Sequence, residues 1–363
     1  MAGVIDTTRQ VNINQASAII QRAIGRKRPI MLWGAPGIGK SDLIRQIGLL
    51  LGRKVIDIRL PLWEPTDMKG IPFYNPKTNK MEWAPPAELP HDPDSNAIVF
   101  LDEINGAAPA VQAAAYQLIL DRKIGTYKLP DNVVVIAAGN RDSDKGVSYR
   151  MPKPLANRFV HLELKVEFDC WHEWAIHNDV HPDVVGYLTV QKQDLYDFDP
   201  KADTKAFSTP RSWTFVSELL QDSDEDTEWD NTLELDMVSG CVGEGVGLKF
   251  QAHRESTAKM PNPTEILDGK VKTLETKEIS AMYALTTAMC YELKENFTTL
   301  GKVKEWHTQC GNFLQFMMDN FNTEMTIMGA RMALKSYSLP FDHTKLPNFK
   351  DFFDRFGQLV IDA

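Results

Sequence analysis

The octapeptide Gly34-Ala35-Pro36-Gly37-Ile38-Gly39-Lys40-Ser41 lies between an apolar run, Pro29 to Trp33, and a helix-like stretch, Lys40 to Leu51. That is the strand-loop-helix setting that the pattern G-x-x-x-x-G-K-[ST] requires. Glycines let the backbone curl so that successive N–H groups face a β-phosphate, and the helix N-terminus adds partial positive charge. In that geometry Lys40 would reach the β and γ oxygens and Ser41 would ligate Mg²⁺, with Asp42 next to it in the first helical turn counted among the nucleotide-binding residues. The bound species implied is therefore ATP with Mg²⁺.

A second signal is independent of the first. Ala97 to Leu101 is followed by Asp102-Glu103, which places two carboxylates at the C-terminal tip of a buried strand, where open α/β sheets bind ligands. Asp102 would hold the Mg²⁺ through water, and Glu103 would polarise the water that attacks the γ-phosphate. A strand ending in Asp-Glu is common by itself; paired with the upstream loop it reads as chemistry, and the glutamate implies hydrolysis rather than passive nucleotide sensing. A third run, Val133 to Ala138, ends in Gly139-Asn140-Arg141. Asn140 there either hydrogen-bonds the γ-phosphate and the lytic water or caps a turn.

These runs, with Val55 to Leu60 and Phe159 to Leu164, alternate with helix-like stretches at Asn14 to Ile24, Lys40 to Leu51 and Ala108 to Asp121. The alternation predicts an α/β fold with a parallel sheet, and the continuous apolar runs predict helices on both faces. From Cys170 to Leu220 the reading turns helical, with a helix start at Ser208-Thr209-Pro210. Gln221 to Asp230 then holds six acidic residues, which suggests a solvated linker. Two stripes at helical spacing follow: Ile279, Met282, Tyr283, Met289, Cys290, Leu293 and Phe297, then Val303, Trp306, Cys310, Phe313, Leu314, Met317 and Phe321. Both are expected to be core faces of a helical bundle.

The motifs in this order, followed by Pro154-Leu155-Ala156-Asn157-Arg158-Phe159 and Thr209-Pro210-Arg211, resemble the AAA+ ATPases, and among them the MoxR type. The resemblance spans roughly Asn12 to Leu220. It implies a P-loop AAA+ core over residues 1–165, a helical lid over 166–220 and an acidic, mostly helical extension over 221–363. It also implies a homo-oligomeric ring, usually a hexamer, with ATP between subunits. On it Asn140 takes the sensor-1 position, Arg158 the arginine-finger position and Arg211 the sensor-2 position. Arg150 and Arg141 are weaker candidates for such contacts, and Arg158 or Arg211 could instead form a surface ion pair.

Two hairpins belong to the same resemblance. Phe73-Tyr74 and Met81-Glu82-Trp83 flank a turn-rich segment that is similar to the helix-2 insert of MoxR proteins, and Arg122 to Tyr127 is similar to the pre-sensor-1 hairpin. Tyr74, Trp83 and Tyr127 either grip a partner or pack against their own subunit. MoxR-type ATPases commonly act with a separate von Willebrand A-domain protein carrying DxSxS; this chain has no DxSxS, so such a partner would be another chain.

Three readings follow. The first is an ATPase that remodels or assembles a protein partner in a chaperone-like manner. The second is a nucleic-acid motor or loader, and the third is a nucleotide-gated scaffold. The net charge of −9 disfavours binding driven by phosphate attraction, but its distribution matters more. Residues 1–220 hold 26 Lys+Arg and 26 Asp+Glu, whereas residues 221–363 hold 14 and 23, which accounts for the whole excess. The acidity belongs to the extension, either as a docking surface for a basic partner or as plain solubility. Four cysteines without metal spacing read as buried thiols. With no signal-like N-terminus and no apolar run near ~20 residues, no membrane association and a cytoplasmic location are expected.

Overall fold

The apolar runs of the N-terminal half become strands because each can bury a continuous β-branched or aromatic face on both sides of one sheet. In the computed structural model, which describes residues 9–144, 149, 151, 153–221, 231–275, 278–298, 303–342 and 344–361, the chain divides into two units. One comprises residues up to Glu167 with Asp199–Ala202, and the other Phe168–Phe198 with the chain from Asp203 onward.

In the first unit the strands are β1 (Gln10–Val11), β2 (Ile30–Trp33), β3 (Val55–Arg59), β4 (Ile71–Asn75), β5 (Lys80–Ala84), β6 (Ile98–Asp102), β7 (Lys123–Ile124), β8 (Tyr127–Lys128), β9 (Val134–Gly139) and β10 (Val160–Leu164). Six of them form a sheet in the order β1-β10-β2-β9-β6-β3, every pair parallel. The helices are α1 (Ile13–Gly25), α2 (Lys40–Leu50), α3 (Pro65–Lys69), α4 (Pro109–Asp121) and α5 (Lys153–Ala156). The fold is thus α/β, as the alternation of runs predicts.

Local chemistry sets the ends of α1. The Asn12 side chain accepts from the Gln15 N–H at 2.9 Å, and the Gln15 side chain accepts from the Asn12 N–H at 3.1 Å. This reciprocal cap satisfies two of the donors that a helix N-terminus leaves over. The central strands β6 and β9 are buried along their full length. The expectation of continuous burial fails at β3, where only Ile58 is buried, because β3 is the edge of the sheet and has a strand on one side only. The two-residue strand β1, which extends the other edge beside β10, is too short to leave a period in the sequence.

The two small hairpins form as read, β4 against β5 and β7 against β8, both antiparallel. Their aromatics part company. Tyr74 is 57% exposed and Trp83 is half-buried. Tyr127 is buried, donates its hydroxyl to the Pro90 carbonyl at 2.6 Å and meets the His91 ring edge-on at 5.4 Å. Burial pushes its phenol up to about 12. Tyr127 therefore packs within its own unit, the second of the two readings open to it.

The second unit is helical: α6 (Phe168–His177), α7 (Pro182–Val190), α8 (Pro210–Gln221), α9 (Asn231–Val242), α10 (Glu244–Thr257), α11 (Pro263–Leu267), α12 (Ile279–Thr298), α13 (Val303–Asn320) and α14 (Thr323–Arg331), with shorter turns after them. Trp213 of α8, fully buried, packs on Tyr187 of α7 and Phe250 of α10 at ring distances of 5.5 Å. Its indole N–H donates to the Asp194 carbonyl at 2.8 Å. Asp183 of α7 pairs with Arg254 of α10, which also holds Glu234 of α9 at 2.9 Å.

The two apolar stripes are core faces in their middles, with Met289, Cys290, Leu293, Cys310, Phe313 and Met317 buried. Ile279 and Phe297, at the ends of the first stripe, are instead exposed, although the Phe297 ring lies 4.9 Å from that of Trp306. Cys290 and Cys310 are buried, whereas Cys170 and Cys241 are only half-buried. Arg150 and the acidic segment 222–230 lie outside the described residues.

Helices α7 and α12 approach closely at Gly186, where an added Cβ would come within 2.6 Å of the Ala284 Cβ and 2.9 Å of its Cα. Neither helix can yield there without moving its backbone. A Gly186→Val substitution should destabilise this unit by about 2 kcal/mol or more, overpacking outweighing the gain in helix propensity, seen as a lowered thermal midpoint by circular dichroism. An unchanged midpoint would contradict the packing described.

Candidate functional site

Residues 34–41, 102–105 and 140 meet at one edge of the sheet because β2, β9 and β6 are neighbours running in the same direction. Trp33 pairs with Gly139 and Leu101 with Ala137, so Gly34, Asn140 and Asp102 emerge side by side at the C-terminal edge. There the strand carbonyls end and helix N-termini begin, the usual ligand edge of an open α/β sheet.

The loop 34–39 joins β2 to α2. Gly39, at the helix entrance, has φ +90°, a conformation that a side chain resists and glycine takes freely. It delivers Lys40 and Ser41 as the first two residues of the helix. Lys40 is 9% exposed, and its ammonium donates to the Gly34 carbonyl at 2.6 Å, the Ala35 carbonyl at 2.9 Å and Asn140 Oδ1 at 3.0 Å. Lys40 and Asn140, a hundred residues apart in the chain, are thus direct neighbours. Ser41 Oγ donates to Asp102 Oδ2 at 2.8 Å. Two hard oxygen ligands this close, at a helix N-terminus, form a donor set that suits Mg²⁺. Ala35 and Ile38 are buried in the loop, and Asp42 is half-exposed in the first turn of α2, 3.9 Å from Arg45.

Asp102 is buried and its other oxygen accepts from the Glu103 N–H at 2.9 Å. Glu103 adopts a left-handed backbone, φ 54° and ψ 37°, and its side chain is exposed. A non-glycine residue in that region costs about 1 kcal/mol, and here it ends the strand sharply so that consecutive carboxylates part, one buried and one in solvent.

One residue of the site was not singled out in the sequence. Asn105 is buried, donates Nδ2 to the Asn140 carbonyl at 2.7 Å and accepts from the Asn140 N–H at 3.2 Å through Oδ1. It holds the N–H and the carbonyl of one residue, on the two peptide units that flank the Asn140 Cα, and so sets where the Asn140 side chain starts. Its signal was its place in Asp102-Glu103-Ile104-Asn105, one short turn past the strand. Arg141 is held by Asp144 at 3.0 Å and by Glu163 at 3.4 Å, so it is committed to an ion-pair network beside the site.

Two arginines remain. Arg158 is exposed in the turn before β10. Since Val160 pairs with Ile30, that turn lies at the N-terminal edge of the sheet, the opposite edge from the phosphate loop that follows Trp33. Arg211 is exposed in the first turn of α8 in the second unit.

Residues 29–161 match the family model described as "ATPase family associated with various cellular activities (AAA)". Over 156 residues the chain is 28% identical to the protein YeaC of Bacillus subtilis, covering 42% of this chain and 46% of that one. It is 27% identical over 187 residues to midasin of Giardia intestinalis, covering 48% of this chain and 4% of that one. The matches thus span less than half the length of these relatives. Among solved structures it is similar to NtrX of Brucella abortus in complex with ATP, with a TM-score of 0.41 and 12% identity over 98% of this chain and 69% of that one. Strands β2 to β9, the phosphate loop and the carboxylate pair at β6 all fall within the matched residues, so it is residues 29–161 that match an ATPase domain of the AAA family.

Proposed function

We propose that this chain hydrolyses ATP and that, as an AAA+ ring protein of MoxR type, it uses the hydrolysis to remodel or assemble a protein partner. The observation that carries the hydrolytic reading is the convergence of Lys40, Ser41, Asp102 and Asn140 through bonds of 2.8 and 3.0 Å between three strand ends. Ser41 and Asp102 would hold Mg²⁺, whose charge when bound lowers the cost of placing the β and γ oxygens together. Lys40 neutralises the same oxygens from the loop side. Glu103, exposed one residue beyond Asp102, takes the proton of the attacking water, and Asn140, aligned by Asn105, orients that water.

The ring reading rests on Arg158. An arginine at the far edge of the sheet cannot reach its own phosphate loop, but it is placed to serve the loop of another subunit, as a finger acting in trans does. In this reading residues 1–165 form the motor core, 166–220 the lid that brings Arg211 to the nucleotide, and 221–363 an acidic extension; the ring is a hexamer in the cytoplasm. Among the described residues no helix is long and apolar enough to cross a membrane. Partner engagement is assigned to the β4–β5 hairpin, where Ile71, Phe73, Tyr74 and Met81 are all exposed. Such an apolar projection suits a polypeptide better than a phosphate backbone, whose recognition calls for cations. A separate von Willebrand A-domain protein is the partner class proposed.

Glu103→Gln should retain ATP binding and lose turnover by about 100-fold or more, the usual worth of a positioned general base, measured as steady-state phosphate release. Lys40→Ala should lose binding itself. Turnover by Glu103→Gln equal to wild type would sink the hydrolytic assignment. Asn105→Ala should lower kcat by about 10- to 100-fold through misplacement of Asn140 while ATP affinity stays within a few fold; a loss confined to affinity would show that Asn105 serves binding instead.

A further inference from the structure

The turn that carries Arg158 opens on a cavity of about 500 Å³ at the N-terminal edge of the sheet, lined by Lys27, Arg28, Arg122, Asn157 and Arg158 over an apolar floor. Four cations line it and no carboxylate does. Among the described residues, the side chains of Lys27, Arg28 and Arg158 make no ion pair or hydrogen bond.

The cations are brought there by backbone structure. Arg28 and Arg158 each stand two residues ahead of Ile30 and Val160, which pair in register between β2 and β10. The Val160 N–H also bonds the Pro29 carbonyl at 3.0 Å, so the two arginines sit on adjacent strand entrances. The turn after α1 is fixed by bonds from the Lys27 N–H to the Ile24 carbonyl and from the Arg28 N–H to the Ala23 carbonyl, both 3.0 Å. Arg122 is immobilised through Nη2, which donates to the Pro130 carbonyl at 2.6 Å and the Val133 carbonyl at 2.9 Å. Like charges gathered without a counter-charge repel, and a polyanion relieves that repulsion.

The chain's own phosphate loop supplies the complementary observation. Lys40 is the cation that the loop itself provides, and Arg141, next to Asn140, is tied to Asp144 and Glu163. With Arg141 so occupied, a γ-phosphate at that edge has use for a further cation beside Lys40, as phosphoryl transfer commonly does. The cation-rich cavity lies at the other end of β2, about 13 Å away along four residues of strand. Each copy thus has phosphate-binding backbone at one edge of its sheet and surplus cations at the other.

We propose that this cavity receives the triphosphate held at the phosphate loop of a second copy of the chain, with Arg28 acting beside Arg158 as a further trans-acting cation and with Lys27 and Arg122 adding fixed positive charge. The inference rests on the ATPase reading above and extends it from one arginine to a four-cation face.

The test is ATP turnover by full-length Arg28→Ala, Arg158→Ala, the double variant, and the double variant mixed with Lys40→Ala. Arg28→Ala should lose about tenfold or more in kcat, the scale of one charge-assisted hydrogen bond, with Arg28→Lys recovering part of it and the circular dichroism melt unchanged. The double variant and Lys40→Ala should each be inactive alone and regain turnover when mixed, because one supplies the loop and the other the cations. Turnover by Arg28→Ala within twofold of wild type, while Arg158→Ala is inactive, would overturn this inference and leave the ATPase reading standing. So would an Arg28→Ala protein that loses only a stimulation by added DNA. A wild-type chain without turnover at any concentration would overturn both.

Discussion

Everything proposed for this molecule depends on the parallel, in-register pairing of β2, β9 and β6. Because the three strands run the same way and end within a residue or two of each other, segments far apart in the chain emerge at one edge. The Lys40–Asn140 and Ser41–Asp102 contacts are consequences of that alignment. Had one strand slipped by a residue, its buried face would have turned outward and its terminal polar residue would have moved off the edge. The burial of β6 and β9 along their whole length is what makes such a slip costly, so the hydrophobic core and the chemistry are fixed by the same constraint.

The same alignment has an opposite end. Residues that precede the strands are gathered as surely as those that follow them, and in this chain they are cations: Arg28 before β2 and Arg158 before β10. In the reading proposed here, a sheet with a phosphate loop at one edge and surplus guanidinium at the other would be complementary to a copy of itself. Rings follow naturally from such head-to-tail contacts when the rotation closes.

Much of this was legible in the sequence, and the reasons are physical. The phosphate loop has glycines at fixed spacing because backbone geometry demands them, so Gly34 to Ser41 could be read directly. Asp102, Glu103 and Asn140 were legible because each ends an apolar run, and the edge of a buried strand is one of the few places where polar residues must follow five apolar ones. Asn105 carries only the signal of its place one short turn past the strand, since its role is to hold the N–H and carbonyl of a residue 35 positions away, which no local pattern records. The convergence of Arg28 with Arg158, which only strand order creates, was not legible. Tyr127 was open to two readings, because an aromatic on a short hairpin can project or fold back, and it takes the tertiary structure to show its hydroxyl on the Pro90 carbonyl and its ring covered. In the helical unit the spacing of apolar residues gave the buried middles of α12 and α13, whereas Ile279 and Phe297 share that spacing and are exposed.

The central claim is that Ser41 and Asp102, 2.8 Å apart, form a Mg²⁺-dependent nucleotide site. Equilibrium binding of ATP with and without Mg²⁺, compared between the wild-type chain and Asp102→Asn, tests it most directly. The account predicts that Mg²⁺ tightens ATP binding to the wild type, and that Asp102→Asn removes this gain while leaving the Mg²⁺-free affinity unchanged. Equal Mg²⁺ dependence in the two proteins, or no ATP binding by the wild type, would contradict it.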